Sequence, residues 1–200
     1  VQGNLSTVDA TLYALWWMDE LGLLTSPPAD RALDYLLAAQ REDGGWDEDA
    51  SAAQYDLPPW IQPGDLPTRL YLSAYAAYWI GVRYGSMHPA FRKALEFLRG
   101  HQKDTGYFRG YLHTTWIAAG AFLMAQPQYR EVVEKSLQAL MNKPLEDWEA
   151  SQIAWALDCL GRGGLDESHP FVEKSLTELI ERNRPDGSWS SEDGEGFAAG

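Results

Sequence analysis

The sequence predicts an all-α protein built from about four helical hairpins, and three observations carry that prediction. Amphipathic blocks recur along the chain, running from Arg31 to Gln40, from Lys93 to Gln102, from Lys135 to Asn142 and from Lys174 to Asn183. Their leading leucines, Leu33, Leu95, Leu137 and Leu176, lie 62, 42 and 39 residues apart, a repeat near 40 with an insertion in its first step. Finally, one motif closes the blocks. Gln40-Arg41-Glu42-Asp43-Gly44-Gly45-Trp46 returns as Asn183-Arg184-Pro185-Asp186-Gly187-Ser188-Trp189 and, degraded, as Gln102-Lys103-Asp104-Thr105-Gly106-Tyr107-Phe108. After the third block it has decayed to Pro144-Leu145-Glu146-Asp147-Trp148.

Each block places apolar residues at i, i+3 and i+4 (Leu33, Leu36, Leu37; Leu176, Leu179, Ile180), the one-faced pattern of an amphipathic helix. Gly44 and Gly187 fall where such a helix stops and its backbone turns left-handed. The aromatic two residues later folds back on the helix end, and the Gln or Asn amide serves backbone groups left unpaired there. The motif therefore reads as a clasp between hairpins, not as a catalytic element.

In chain order, residues 1–5 read as a frayed start, and Ser6-Thr7-Val8-Asp9 as a helix N-cap with an acid in the first turn. An inner-type helix follows over 10–21, rich in Leu12, Leu15, Trp16 and Met18, and ends at Gly22 and Pro27-Pro28. The first outer helix spans 29–40. Residues 47–66 break the pattern with Pro58, Pro59 and Pro63 and no period; so long an irregular stretch in a compact domain signals function or disorder. Pro67 opens the second inner helix, to Tyr84. Helices are further expected over 89–101, 108–125, 129–141, 146–160 and 170–183. Residues 190–200 read as the loop and first turn of a fifth inner helix, so the sequence is expected to stop short of the natural C-terminus.

Two hundred residues with 45% hydrophobic content suit a single soluble domain, 1–200, with a sizeable core. A net charge of −13 argues against nucleic acid and anionic membrane surfaces as partners. The lone Cys159 excludes an internal disulfide and fits a reducing, cytoplasmic setting. No run reaches the roughly 18 apolar residues of a transmembrane segment, and no secretion signal opens the chain. Oligomeric state is not readable.

The repeated motif resembles the QW motif, Gln-x-x-Asp-Gly-x-Trp, of the squalene–hopene and oxidosqualene cyclases, a superfamily that shades into the protein prenyltransferase β subunits. Two near-complete copies and a degraded one carry the resemblance across essentially the whole chain. It implies an α/α toroid whose inner helices line a cavity and whose outer helices wrap round them. Four hairpins against the six of a closed family toroid imply an open arc. It also implies a hydrophobic polyisoprenoid ligand, no cofactor and no metal, and isomerase chemistry of the terpene cyclase kind, in which a protonated carboxylic acid attacks an alkene or epoxide and aromatic π-faces stabilise the cations.

The family's Asp-x-Asp-Asp acid motif is absent. Aligned with its flanking Pro and Thr, Pro63-Gly64-Asp65-Leu66-Pro67-Thr68 holds no acid at the three aspartate positions. The candidate acids are Asp47 and Asp49, in a cluster of three carboxyls that can raise one another's pKa, and Asp158 beside Cys159. Exposed loop acids and a helix-end cap are the plain alternatives. Trp16, Tyr71, Tyr75, Trp79, Trp116 and Trp155 are the candidate substrate-binding residues; at helical spacing they fit a core equally well. Asp, Cys and His do not fall in the zinc pattern of the prenyltransferases, and Asp-Asp-x-x-Asp for magnesium is missing. The expected function is a terpenoid-cyclase-like protein that acts on or holds an isoprenoid; the alternative is a non-catalytic repeat module binding a lipid or protein on its concave face.

Overall fold

In a computed structural model that describes residues 6–190, the chain is all-α; among the described residues the sole β feature is an isolated bridge between Gln102 and Phe108. The helices are α1 (Val8–Glu20), α2 (Pro27–Ala39), α3 (Leu66–Tyr84), α4 (Pro89–Arg99), α5 (Leu112–Met124), α6 (Arg130–Met141), α7 (Ala150–Gly163) and α8 (Pro170–Arg182). They fall into two compact units, Val1–Lys103 with Phe108–Thr114, and Asp104–Tyr107 with Thr115–Gly200.

In the first unit α1 packs on α2 and α3, and α3 packs on α4. Helix α3 is buried without interruption from Leu70 to Gly81, as its unbroken run of small, aliphatic and aromatic residues requires. Asp65 starts it by accepting a hydrogen bond from the Thr68 amide at 3.1 Å, with Pro67 in the first turn where a missing N–H costs nothing. Helix α4 is its opposite. Phe91, Ala94, Leu95 and Leu98 form one buried stripe, while Arg92, Lys93 and Glu96 face water. The sequence pattern thus separates inner from outer helices.

In the second unit α8 packs on α6 and α7. Its centre is aromatic: Trp116 stacks on Trp148 at 5.1 Å, and Trp148 meets Phe171 at 6.2 Å. Arg182 donates to the carbonyls of Trp148 and Leu145, pinning the end of α8 to a short 3₁₀ turn at Leu145–Asp147.

The repeated loops fold as clasps. In residues 40–46 the indole of Trp46 donates to the Leu36 carbonyl at 2.7 Å, one turn before the end of α2. Gln40 donates to the carbonyls of Gly44 and Ala90, the second in α4. Residues 183–189 repeat the central bond, with Trp189 donating to Leu179 at 2.7 Å. In the degraded copy Tyr107 donates instead through its hydroxyl, to Ala139 at 2.6 Å.

Several boundaries differ from the sequence expectation. Helix α1 starts at Val8 rather than at residue 10, capped by Thr7 rather than Ser6. Pro27 and Pro28 open α2 instead of closing α1, since both sit where the helix has no N–H to donate. Helix α5 starts at Leu112 rather than at residue 108, because Gly110 takes a positive φ of +106°, which no right-handed helix accommodates. Helix α7 spans Ala150–Gly163 rather than 146–160. A Glu149–Gln152 capping box starts it, and the left-handed Gly164 ends it. Residues 47–66, expected to be irregular, contain two 3₁₀ turns, Ala50–Gln54 and Pro59–Ile61. The Gly64 amide donates to Asp47 at 3.0 Å, bringing the two ends of the stretch together. The frayed start and the fifth inner helix expected beyond Ser190 lie outside the described residues.

Candidate functional site

The first clasp runs directly into three carboxylates, and the fold gives each a different setting. Asp47 is buried and faces two guanidinium groups, Arg41 at 3.0 Å and Arg69 at 3.6 Å. Arg69 also pairs with the motif residue Asp43 at 2.6 Å and lies over the Phe97 ring. Asp47 is therefore neutralised by ion pairs within the scaffold. Asp49 is exposed and caps the first 3₁₀ turn through the Ser51 amide at 2.8 Å; hydrogen bonds from the Ser51 hydroxyl and then its amide hold the carboxyl below the usual range. Asp158, on α7 in the second unit, is 43% exposed and pairs with Arg162 one turn on at 2.8 Å.

Glu48 is 1% exposed and turns back onto the start of α1. One carboxylate oxygen accepts from the Val8 amide at 2.8 Å, and the other from the Asp9 amide at 2.8 Å. Burial pushes its carboxyl up; the two N–H groups oppose that, and the charges of Asp9 and Asp47 add to it.

This contact brings in an acid that sequence reasoning treated only as a capping residue. Asp9 sits in the first turn of α1, where burial raises its pKa against a hydrogen bond from the Tyr71 hydroxyl of α3. The Tyr71 phenol is held neutral in turn by burial and by the Asp9 charge. His113 meets the Tyr71 ring edge-on at 4.9 Å and stacks flat on Tyr111 at 5.2 Å. Burial depresses the His113 pKa to about 4, so the imidazole is neutral at pH 7. A half-buried carboxyl of raised pKa beside a neutral phenol is suited to carrying a proton.

Two aromatic ladders leave this point. On α1, Asp9, Tyr13, Trp16 and Trp17 share a face at i, i+4, i+7 and i+8; the three rings touch at 4.9–6.1 Å. On α3, Tyr71, Tyr75, Tyr78 and Trp79 repeat the spacing, with Tyr75 at 6.0 Å from Tyr71 and 5.9 Å from Trp79. Tyr13 and Trp17 are exposed, Trp16 is half-buried, and the α3 rings are buried. Of the candidate binding residues, Trp16, Tyr71, Tyr75 and Trp79 thus belong to the unit that holds Asp9, Asp47 and Asp49. Trp116 and Trp155 lie in the second unit, where they meet at 5.6 Å with Trp116 fully buried. No group of three or more metal-ligating side chains occurs among the described residues. Nor, among these residues, is any helix long and apolar enough to cross a membrane.

No protein-family model matches the sequence, and no curated protein matches it. Solved structures do. The apo type II terpene cyclase MstE from Scytonema superposes with a TM-score of 0.62 at 22% identity, over 92% of this chain and 57% of MstE. An arginine variant of MstE in complex with geranylgeranyl dihydroxybenzoate, its substrate, gives 0.62 at 23% identity over the same shares. A protein from Actinoplanes gives 0.63 at 19% identity, over 92% of this chain and 59% of that one. The chain spans under two thirds of the length of these structures. The likeness shows the fold, an all-α arrangement of the α/α-toroid kind found in a type II terpene cyclase.

Proposed function

We propose that this chain is a terpenoid-cyclase-like protein that protonates and cyclises a polyisoprenoid, with Asp9 as proton donor. The observation that carries the reading is the Asp9–Tyr71 pair, a half-buried carboxyl of raised pKa at the head of two aromatic ladders. It is supported by the fold shared with MstE, a cyclase whose substrate carries a geranylgeranyl chain. The recurring motif is read as a QW clasp of the squalene-cyclase type. In this reading Asp9 takes the role that the sequence suggested for Asp47, Asp49 or Asp158, since those three are ion-paired or bound to a cap.

The chemistry is an isomerisation and needs no redox cofactor. The carboxylic proton of Asp9 adds to a terminal alkene carbon, and the π-electrons of the next alkene attack the cation to form a carbon–carbon bond. A proton lost from the final cation restores an alkene. Tyr71 donates to the other carboxyl oxygen and steadies the carboxylate left behind. Tyr13, Trp16 and Trp17, with Tyr75, offer π-faces to the passing cation. Asp47 and Arg69 hold the loop that supports the acid.

Incubating the protein with squalene, geranylgeranyl diphosphate and geranylgeranyl dihydroxybenzoate, followed by gas or liquid chromatography with mass spectrometry, tests the reading. A cyclised product of unchanged mass is expected, falling by roughly 10²–10⁴-fold in Asp9→Asn. Undiminished product from Asp9→Asn would remove Asp9 from the mechanism. Intact substrate retained by the protein would make it an isoprenoid binder, and neither product nor retention would favour the interaction module.

A further inference from the structure

Glu48 is the most buried acid of the first unit, and its two oxygens are spent on backbone amides rather than on a cation. Both amides belong to the first turn of α1, which has no carbonyl of its own to offer them. The Asp9 side chain springs from that same turn, so two carboxyls share one helix start. Asp47 beside Glu48 is already balanced by Arg41 and Arg69. Arg41 also reaches the Glu48 backbone carbonyl at 3.5 Å, and the Thr7 hydroxyl caps the same turn. Tyr35 of α2 donates to the Ser6 carbonyl at 3.1 Å, and Tyr71 of α3 donates to Asp9, with His113 and Tyr111 beyond it. Asp49, further along the loop, faces the Ser51 amide and not α1.

From this geometry we infer that Glu48 is a positioning residue for Asp9: its carboxylate clamps the first turn of α1, from which the Asp9 side chain springs, and the two carboxyls titrate as a coupled pair. Two N–H donors are well matched to an ionised Glu48, which accepts and has nothing to donate. Asp9 accepts from one phenol and keeps an oxygen for the proton. Two nearby carboxyls do not both ionise easily, and the pair titrates in coupled steps. The inference rests on the reading of Asp9 as proton donor for its functional meaning, but the coupling itself is measurable without any substrate.

The test is a carboxyl ¹³C NMR titration of the full chain labelled at Asp and Glu, with Asp9→Asn and Glu48→Gln used for assignment. In Glu48→Gln the Asp9 midpoint should fall by roughly one pH unit or more, and the Val8 and Asp9 amides should exchange faster. If Glu48→Gln fails to fold, Asp9→Asn decides alone, because coupling is mutual and the Glu48 midpoint should fall by the same amount. A midpoint that stays put in either folded variant overturns the inference, as do unchanged Val8 and Asp9 amides in Glu48→Gln. Absence of cyclised product with the coupling intact would instead overturn the proposed function and leave the clamp standing.

Discussion

Residues 40–46 and 183–189 share their backbone and indole bonds, yet the glycine–tryptophan end of one loop is buried and that of the other is not. Trp46 has no exposed surface, whereas Trp189 is half-buried, although both indoles reach a helix carbonyl at 2.7 Å. At Gly44 an added methyl group would overlap the carbonyl of Lys93 in α4; at Gly187 it would meet nothing within 4 Å. The clasp is thus a self-contained local structure, and what it is worth depends on whether another helix covers it.

Substitutions can break that comparison. Trp46→Ala should cost roughly 3–5 kcal/mol in urea unfolding, the range for truncating a buried aromatic. Trp189→Ala should cost clearly less, and equal losses would mean that the indole bond rather than burial sets the value. Gly44→Ala comes next. Both glycines hold positive φ, +94° and +84°, which costs an alanine about 1–2 kcal/mol. Gly44→Ala must in addition push back the Lys93 carbonyl, so its melting temperature should drop further than that of Gly187→Ala. Similar drops would show that backbone strain outweighs the close approach.

The smallest expected effect sharpens the comparison on its electrostatic side, since the first unit combines its clasp with a half-buried histidine of depressed pKa. Unfolded, His113 takes up a proton near 6.5; folded, it does so only at about 4. The unfolded state therefore binds more protons across that interval, and stability is lost as pH falls through it. In His113→Phe the melting temperature should fall less between pH 6.5 and about pH 4 than in the parent chain. Asp9 and Glu48, with raised values, act in the opposite sense by gaining stability on acidification. An unchanged pH slope in the variant would place His113 in contact with water.

Helix type and order were legible because they rest on short-range patterns: the stripe of α4, the unbroken apolar run of α3 and the glycine–aromatic loops are each visible within a dozen residues. The ends were less so. A proline pair reads equally as a stop or a start, and only packing decides that Pro27 opens α2. The site was least legible of all. Asp9 owes its character to burial and to the Tyr71 hydroxyl, 62 positions away, while its amide is held by Glu48, 39 positions away, and no local pattern links them. The acids that look most alike in sequence, Asp47, Glu48 and Asp49, part company once Arg69, α1 and Ser51 each claim one. The one available cue was an aspartate heading a helix of stacked aromatics, and it reads first as a cap.

The hydrogen bond between the Gly64 amide and Asp47 makes residues 48–63 an Ω-loop, pinched at its neck. Such a loop can be shortened or exchanged without pulling the clasp and α3 apart, because its two ends already meet. Yet the first residue past the neck is Glu48, the one that reaches α1. A graft that replaces the whole loop would strip away both the clamp on α1 and the charge beside Asp9, whereas one that begins after Glu48 would keep both. The neck of the loop and the clamp on α1 are therefore carried by adjacent residues, Asp47 and Glu48.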